Sequence, residues 1–326
     1  MKGAHALETL LVQGLAGCVR ALAWQGSLGL GERLGDLAHG LGLRRGVAED
    51  NLARAFPERS AGERATILRA HYRELGRVVA EYARLSELAR APRGRVFANV
   101  RGLEHFEALR GRGAILLTGH FGNFELGGAM LGQLHAVDVV VRPLSNPGVE
   151  ALLARERERA GLTAIPADRG IRRVYASLRA GRWVAMVGDQ DARHHGAFVP
   201  FLGRPASTAL GPARIALATG APILMGFVTR EPDGRLILDV EPPLEIDDPA
   251  APDAALRLTA LHTARLEAHV RERPEMWFWL HRRWKTKPQV APPTVAATGR
   301  PAATVEGSAA RLGGATAARR AGHGAS

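Results

Sequence analysis

From about residue 96 onward the chain alternates short apolar runs with longer stretches of helical period, and that alternation limits its fold more than any other feature. Residues 95–100, 114–117, 137–141, 183–187, 223–228 and 236–240 read as strands. Helical stretches at 124–134, 148–160, 170–180 and 207–219 lie between several of them, and a last helix over 252–273 is stopped by Pro274. Strands separated by helices bury their apolar faces in layers, which predicts an α/β domain over 96–288. Residues 1–95 read as a helical lead-in, in which Pro57 marks a turn and Ser60 caps the helix that follows. After Pro288, alanine, glycine, proline, threonine and serine dominate and large apolar groups are scarce, so 289–326 is expected to be a disordered tail.

Composition narrows the function classes. With 326 residues, 46% of them hydrophobic, the chain can bury one large core or two modest ones. Its single cysteine, Cys18, excludes an intramolecular disulfide and any cysteine-based zinc site. The net charge of +12 calls for an acidic partner or surface, and 289–326 holds only four arginines against Glu306, so the body itself is basic. Nucleic acid is a poor candidate: zinc-finger spacing and basic-aromatic interleaving are both missing, and aromatic content is 5%. A membrane surface or a phosphorylated lipid fits better. Residues 6–23 are largely apolar, but Glu8 and Arg20 leave 11 uncharged residues between them, too few to cross about 30 Å of hydrocarbon. They read either as an interfacial helix with Leu7, Leu10, Leu11, Leu15 and Val19 on its apolar stripe, or as an ordinary amphipathic core helix.

Chemistry concentrates at Thr118-Gly119-His120-Phe121-Gly122-Asn123-Phe124-Glu125, directly after an apolar strand. Gly122 or Asn123 is expected to cap the following helix, with Glu125 in its first turn and His120 in the loop before it. The positive end of that helix disfavours imidazolium, which predicts a neutral His120 near pH 7. On a continuous helix His120 and Glu125 would diverge by about 140°. Gly119 and Gly122 break the path, so Glu125 is able to fold back and hold one imidazole nitrogen while the other accepts a proton. The plainer alternative is a loop histidine beside an acid that serves the helix dipole, and local chemistry does not separate the two. Gly188-Asp189-Gln190-Asp191 follows another strand, where α/β sheets build sites, although an Asp-rich turn looks the same. His194-His195 lacks further ligands at metal spacing and reads as a surface loop. Arg155, Arg157 and Arg159 point apart on their helix, so Arg155 and Arg159 are assigned to a solvated face.

The segment 119–125, Arg142-Pro143, Asn146-Pro147, the 188–191 turn, Phe198-Val199-Pro200-Phe201-Leu202-Gly203 and Trp279-Leu280-His281-Arg282-Arg283-Trp284-Lys285-Thr286, in that order, resemble the bacterial lipid A late acyltransferases. These are the lauroyl and myristoyl transferases of the glycerolipid acyltransferase superfamily. The resemblance covers roughly residues 1–288, including Asn51-Leu52 and Ala55-Phe56-Pro57-Glu58. It implies a mixed central sheet flanked by helices, and transfer of a fatty acyl chain from acyl carrier protein or coenzyme A to a hydroxyl of a phosphorylated glycolipid. The reaction would run at the cytoplasmic face of the inner membrane, with no metal and no cofactor beyond the acyl thioester. It further implies His120 as general base with Glu125 as its partner, Arg157 holding the acceptor phosphate or the developing oxyanion, and Arg142 and Asp189 as substrate-binding residues. The residues of this chain depart from the family in one respect, a less hydrophobic N-terminus than members commonly carry. A lysophospholipid or a mannosylated phosphoinositide remains an alternative acceptor. Non-catalytic binding to anionic membranes remains the alternative from another class.

Overall fold

The apolar run Ala114–Thr118 forms β2, with Ala114, Ile115, Leu116 and Leu117 all buried, as a strand covered on both faces must be. In a computed structural model that describes residues 2–288, it lies in the middle of a seven-stranded sheet. Six helices come first: α1 (Lys2–Ala21), α2 (Trp24–Gly40), α3 (Arg45–Ala55), α4 (Ala61–Tyr82), α5 (Leu85–Arg90) and the short α6 (Arg93–Val96). Then follow β1 (Phe97–Arg101), α7 (Leu103–Glu107), β2, α8 (Phe124–Gly132), β3 (Val137–Val141), α9 (Pro147–Arg159), β4 (Thr163–Pro166), α10 (Ile171–Arg179) and β5 (Trp183–Val187). A hairpin of β6 (Ala197–Phe201) and β7 (Arg204–Thr208) leads to α11 (Gly211–Thr219), β8 (Ile223–Arg230), β9 (Leu236–Val240) and α12 (Ala254–Glu272). The sheet order is β1-β9-β8-β2-β5-β3-β4, parallel except where β8 meets β9. This is the mixed α/β sheet flanked by helices that the alternation and the resemblance implied. The expectation of a disordered 289–326 lies outside the described residues.

Three strands escape a reading by apolar run. β4 is a short edge strand ending in Pro166. β6 and β7 oppose Pro200 to Pro205, and proline speaks against a strand unless it sits in an isolated pair such as this one. The helix expected from 207 starts at Gly211, because 204–208 is spent in β7. Ser60 caps α4 as expected: Glu63 N–H donates to its hydroxyl at 3.3 Å, while its own N–H donates to the Glu63 carboxylate at 2.7 Å.

One device holds the lead-in helices to each other, and a second fixes them against the sheet. Helices α2 and α4 cross at Gly31, Gly35 and Gly76 so closely that a Cβ on Gly35 would lie 2.1 Å from the Tyr72 carbonyl oxygen. The second is ionic. Arg230, near the end of β8, donates to Glu74 (2.9 Å) and through both Nη atoms to Glu81 (2.8 Å each), all three side chains being almost wholly buried. Glu81 also accepts from Asn123 Nδ2 at 2.9 Å, and Asn123 Oδ1 accepts from Leu126 N–H at 3.0 Å, capping α8. Burial opposes the charges, but the pairing overrides it: Glu74 is held below its usual carboxylate range and Arg230 is raised.

Removing one member of such a network strands a buried charge, which costs about 3–5 kcal/mol. Arg230→Ala is therefore expected to lower the unfolding free energy by about that amount in a urea titration. Arg235→Ala, which loses only an exposed pair to Asp233, is expected to cost under about 1 kcal/mol.

Candidate active site

Strands β2 and β5 are parallel neighbours with Thr118 opposite Val187. Each leaves the sheet through a glycine, Gly119 and Gly188, and the next residues are His120 and Asp189. The register alone therefore sets this histidine beside this aspartate, at the carboxyl ends of the strands where open α/β sheets place their sites. Asp189 Oδ1 lies 2.7 Å from His120 Nδ1, and Oδ2 accepts from the His120 N–H at 2.8 Å and from Trp277 Nε1 at 2.7 Å. Two glycines make the approach possible. A Cβ on Gly119 would sit 3.1 Å from Asp189 Oδ2, and Gly122 has φ +53° with its α-carbon pressed on the Val228 carbonyl, where a Cβ would be 1.9 Å away.

The expected contact between Glu125 and the imidazole is therefore corrected: Asp189 holds Nδ1. Glu125 sits in the first turn of α8 and faces α9, where Arg157 grips it with Nε at 3.0 and 3.1 Å from its two oxygens and Nη2 at 2.5 Å. Arg157 thus has its fork turned to Glu125, and its Nη1 lies 3.7 Å from Glu150. Arg155 and Arg159 are exposed, as assigned, and His194-His195 lies in an exposed turn. Arg142 is exposed just past the end of β3. Cys18 is an exposed free thiol on α1.

The expectation of a neutral His120 is also reversed in direction. Burial pulls its pKa down, but the charge of Asp189 and the hydrogen bond to it, with Glu125 adding, raise it above the usual 6.5. Asp189 is itself held at about 2: burial opposes ionisation, and the imidazole, the His120 N–H and the Trp277 indole outweigh it. Because the folded pKa of His120 is raised, the stability its pairing contributes is fully present below 6.5 and fades as pH rises through the raised value. In the neutral ring Nδ1–H donates to Asp189, which leaves Nε2 as the free acceptor, 3.4 Å from Gln190 Nε2. Phe124 and Phe278 flank the ring.

His120 lines a cavity of about 720 Å³ between α1, α2, α4 and α9. Its walls are mostly apolar, with Val12, Leu15, Val19, Leu34, Val79 and Leu152 among them, and Tyr82, Glu125 and Arg157 stand near the histidine. An apolar recess of about 60 Å³ lies behind Glu125, under Gly127 and Gly128. The α1 stripe divides accordingly. Leu15 and Val19 turn to the cavity, while Leu7, Leu10 and Leu11 are 60%, 64% and 66% exposed. Among the described residues no helix is long and apolar enough to cross a membrane. No group of three or more His, Cys, Asp or Glu side chains among them is arranged to hold a metal ion.

The residues that sequence reasoning missed are Trp277 and Asn123 in its double role. Trp277 lies 88 residues from Asp189, a separation at which no local spacing signals a contact. The paired endings Thr118-Gly119-His120 and Val187-Gly188-Asp189 were the available clue to the histidine's partner.

Comparison with known proteins gives a consistent result. The family model for bacterial lipid A biosynthesis acyltransferases matches residues 5–286. The chain is 28% identical over 265 residues to the lipid A biosynthesis palmitoleoyltransferase of Escherichia coli K12, which covers 79% of this chain and 85% of that protein. It is 29% identical over 273 residues to the lauroyltransferase of the same organism, covering 81% and 86%. A phosphatidylinositol mannoside acyltransferase of Mycobacterium tuberculosis H37Rv is 31% identical over 184 residues, 53% of this chain and 58% of the relative.

Asp189→Asn removes the charge that raises the His120 pKa and keeps the burial that lowers it. The His120 imidazole, followed by NMR, is expected to titrate above 6.5 in the wild type and below 6.5 in the variant.

Proposed function

The chain belongs to the bacterial lipid A biosynthesis acyltransferase family, and on that premise we propose that it moves a fatty acyl chain from an acyl thioester to a hydroxyl of a lipid A precursor or a related phosphoglycolipid. Acyl carrier protein or coenzyme A carries the donor, no further cofactor takes part, and the reaction runs at the cytoplasmic face of the inner membrane. The observation that carries this reading is a histidine that has one nitrogen on a buried carboxylate and lines a large, mostly apolar cavity.

A hydroxyl has a pKa far above 7, so its proton must leave as the oxygen attacks the thioester carbonyl. His120 Nε2 takes that proton. Asp189 fixes the tautomer that leaves Nε2 open and stabilises the imidazolium that forms, a general-base contribution of about 10²- to 10⁴-fold. The proton then passes to the departing thiolate as the tetrahedral intermediate collapses to ester and thiol.

The intermediate's oxyanion needs donors. Around the turn, the N–H groups of His120, Phe121 and Gly122 are engaged by Asp189, the Gly119 carbonyl and the Met276 carbonyl. Phe124 and Glu125, the first two residues of α8, have N–H groups without an intrahelical acceptor, and they supply the donors in this scheme. The Glu125–Arg157 pair stands at the cavity wall beside the histidine. Its role here is to orient the phosphorylated acceptor, with Arg157 supplying the positive charge and Glu125 fixing where that charge sits. Arg142, exposed at the end of β3, is assigned to the acceptor's outer phosphate.

The match to phosphatidylinositol mannoside acyltransferases favours a mannosylated phosphoinositide as the second reading for the acceptor. Incubation with a labelled acyl thioester and, separately, a lipid A precursor, a phosphatidylinositol mannoside and a lysophospholipid decides among them. Labelling of the first is expected, and exclusive labelling of another acceptor overturns the choice. His120→Ala is expected to reduce kcat by at least about 10²-fold. The acid limb of kcat/KM should lie above pH 6.5, since a base with a raised pKa must lose its proton before it can work.

A further inference from the structure

A second concave surface lies apart from His120. A pocket of about 540 Å³ is formed where α3 meets the segment after Trp279, and Arg44, Arg45, Arg54, Arg282, Lys285 and Lys287 line it. Arg45 is paired with Glu49 and Arg54 with Asp50. Arg282, Lys285 and Lys287 are exposed and form no ion pair among the described residues. Beside this pocket the turn from α2 to α3 holds Leu41 and Leu43 in solvent, 66% and 55% exposed, with Leu37 at 57% just before them.

This turn is held in place. Leu43 N–H donates to the Ala38 carbonyl at 3.1 Å, the Tyr72 hydroxyl donates to the Leu43 carbonyl, and Arg44 Nε donates to the Leu280 carbonyl at 2.7 Å. Arg44 takes a left-handed φ of +56°, which a non-glycine residue adopts only at some cost. The backbone is thus fixed in the form that displays two leucines outward. Leu34 lies on the same side of α2, about two turns before Leu41, and it lines the catalytic cavity. An apolar row on α2 therefore runs from the half-buried Leu34 in the cavity wall past the exposed Leu37 to the side of the cationic pocket.

Resting on the reading that this enzyme acts on a lipid acceptor, we propose that the α2–α3 turn is a membrane-docking element distinct from α1. Leu41 and Leu43 enter the acyl region of the bilayer, and Arg282, Lys285 and Lys287 bind the phosphates of anionic headgroups. The mouth of the catalytic cavity is thereby seated on the lipid surface. A soluble acidic partner would use the cations but would leave two rigidly displayed leucines in water, whereas a bilayer interface satisfies both.

Co-sedimentation of the full chain with vesicles tests the proposal, using phosphatidylcholine alone or mixed with about one third phosphatidylglycerol. Wild type is expected to bind the anionic vesicles. Arg282→Glu/Lys285→Glu/Lys287→Glu should lower its partition coefficient on the order of 100-fold, and Leu41→Ser/Leu43→Ser on the order of 10-fold. Wild-type circular dichroism and melting behaviour show that each variant is folded. Leu43→Trp keeps the tip apolar, and its added emission should shift to the blue on anionic vesicles. Unchanged partition in both multiple variants, or no shift in L43W, overturns the proposal. So does loss of acyl carrier protein binding in the charge variant while its vesicle binding stays at the wild-type level. The functional reading fails separately, if wild type transfers no acyl group to any detergent-dispersed lipid acceptor.

Discussion

Three donors from two distant parts of the chain converge on the Asp189 carboxylate: the His120 ring, the His120 backbone N–H and the Trp277 indole. A carboxylate so deeply buried stays ionised only because those donors replace the water it has lost. The dependence runs both ways. The histidine owes its orientation, tautomer and raised pKa to Asp189, and the loop from β2 to α8 and the segment after α12 are tied to one another through it. The link is reinforced by Phe278 N–H donating to the His120 carbonyl and Gly122 N–H to the Met276 carbonyl, both at 2.9 Å.

The helical lead-in is the other half of this frame. Asn51 donates to the Trp279 and His281 carbonyls at 2.7 and 2.6 Å, and His71 Nδ1 lies 3.1 Å from the Glu275 carbonyl oxygen. Residues 274–284 thus lie between the lead-in and the sheet, hydrogen-bonded to one side and packed by Trp277 and Trp279 into the core they share. Glu81 and Arg230 reach the same site from behind, by capping α8 through Asn123. Helices that look like a separate preface in the sequence form one wall of the cavity and, through the Asn123 cap, hold α8 in register.

Legibility followed the range of the interaction. The strands 137–141, 183–187 and 236–240 and the Ser60 cap could be read from the chain, because burial on both faces and a capping box are written in adjacent residues. His120 and Asp189 were each visible as polar residues after a strand. Their pairing was hidden because the order of strands in a sheet is not local information, and β2 and β5 are separated in sequence by two intervening strands, β3 and β4. Glu125 stood nearer in sequence and drew the imidazole contact that Asp189 makes. The helix-dipole argument about the His120 charge failed for the same reason, since a full charge at 2.7 Å outweighs a fractional one. Proline concealed β6 and β7, where the two prolines face each other in an isolated hairpin.

The indole on Asp189 also has a meaning in time. During synthesis residues 114–189, which carry β2, α8, β5 and both members of the histidine–aspartate pair, emerge before the segment that follows α12. Trp277 and the carbonyl of Met276, which close the back of that pair, come off the ribosome 88 and 87 residues after Asp189. Until then the carboxylate lacks its indole donor and the Gly122 N–H lacks the Met276 carbonyl, although the lead-in can already pair with Asn123 and Arg230 through Glu81. A nascent chain can therefore hold the histidine–aspartate pair before the segment that closes its back is present. The back of the histidine–aspartate pair closes only once residues 276 and 277 have been added.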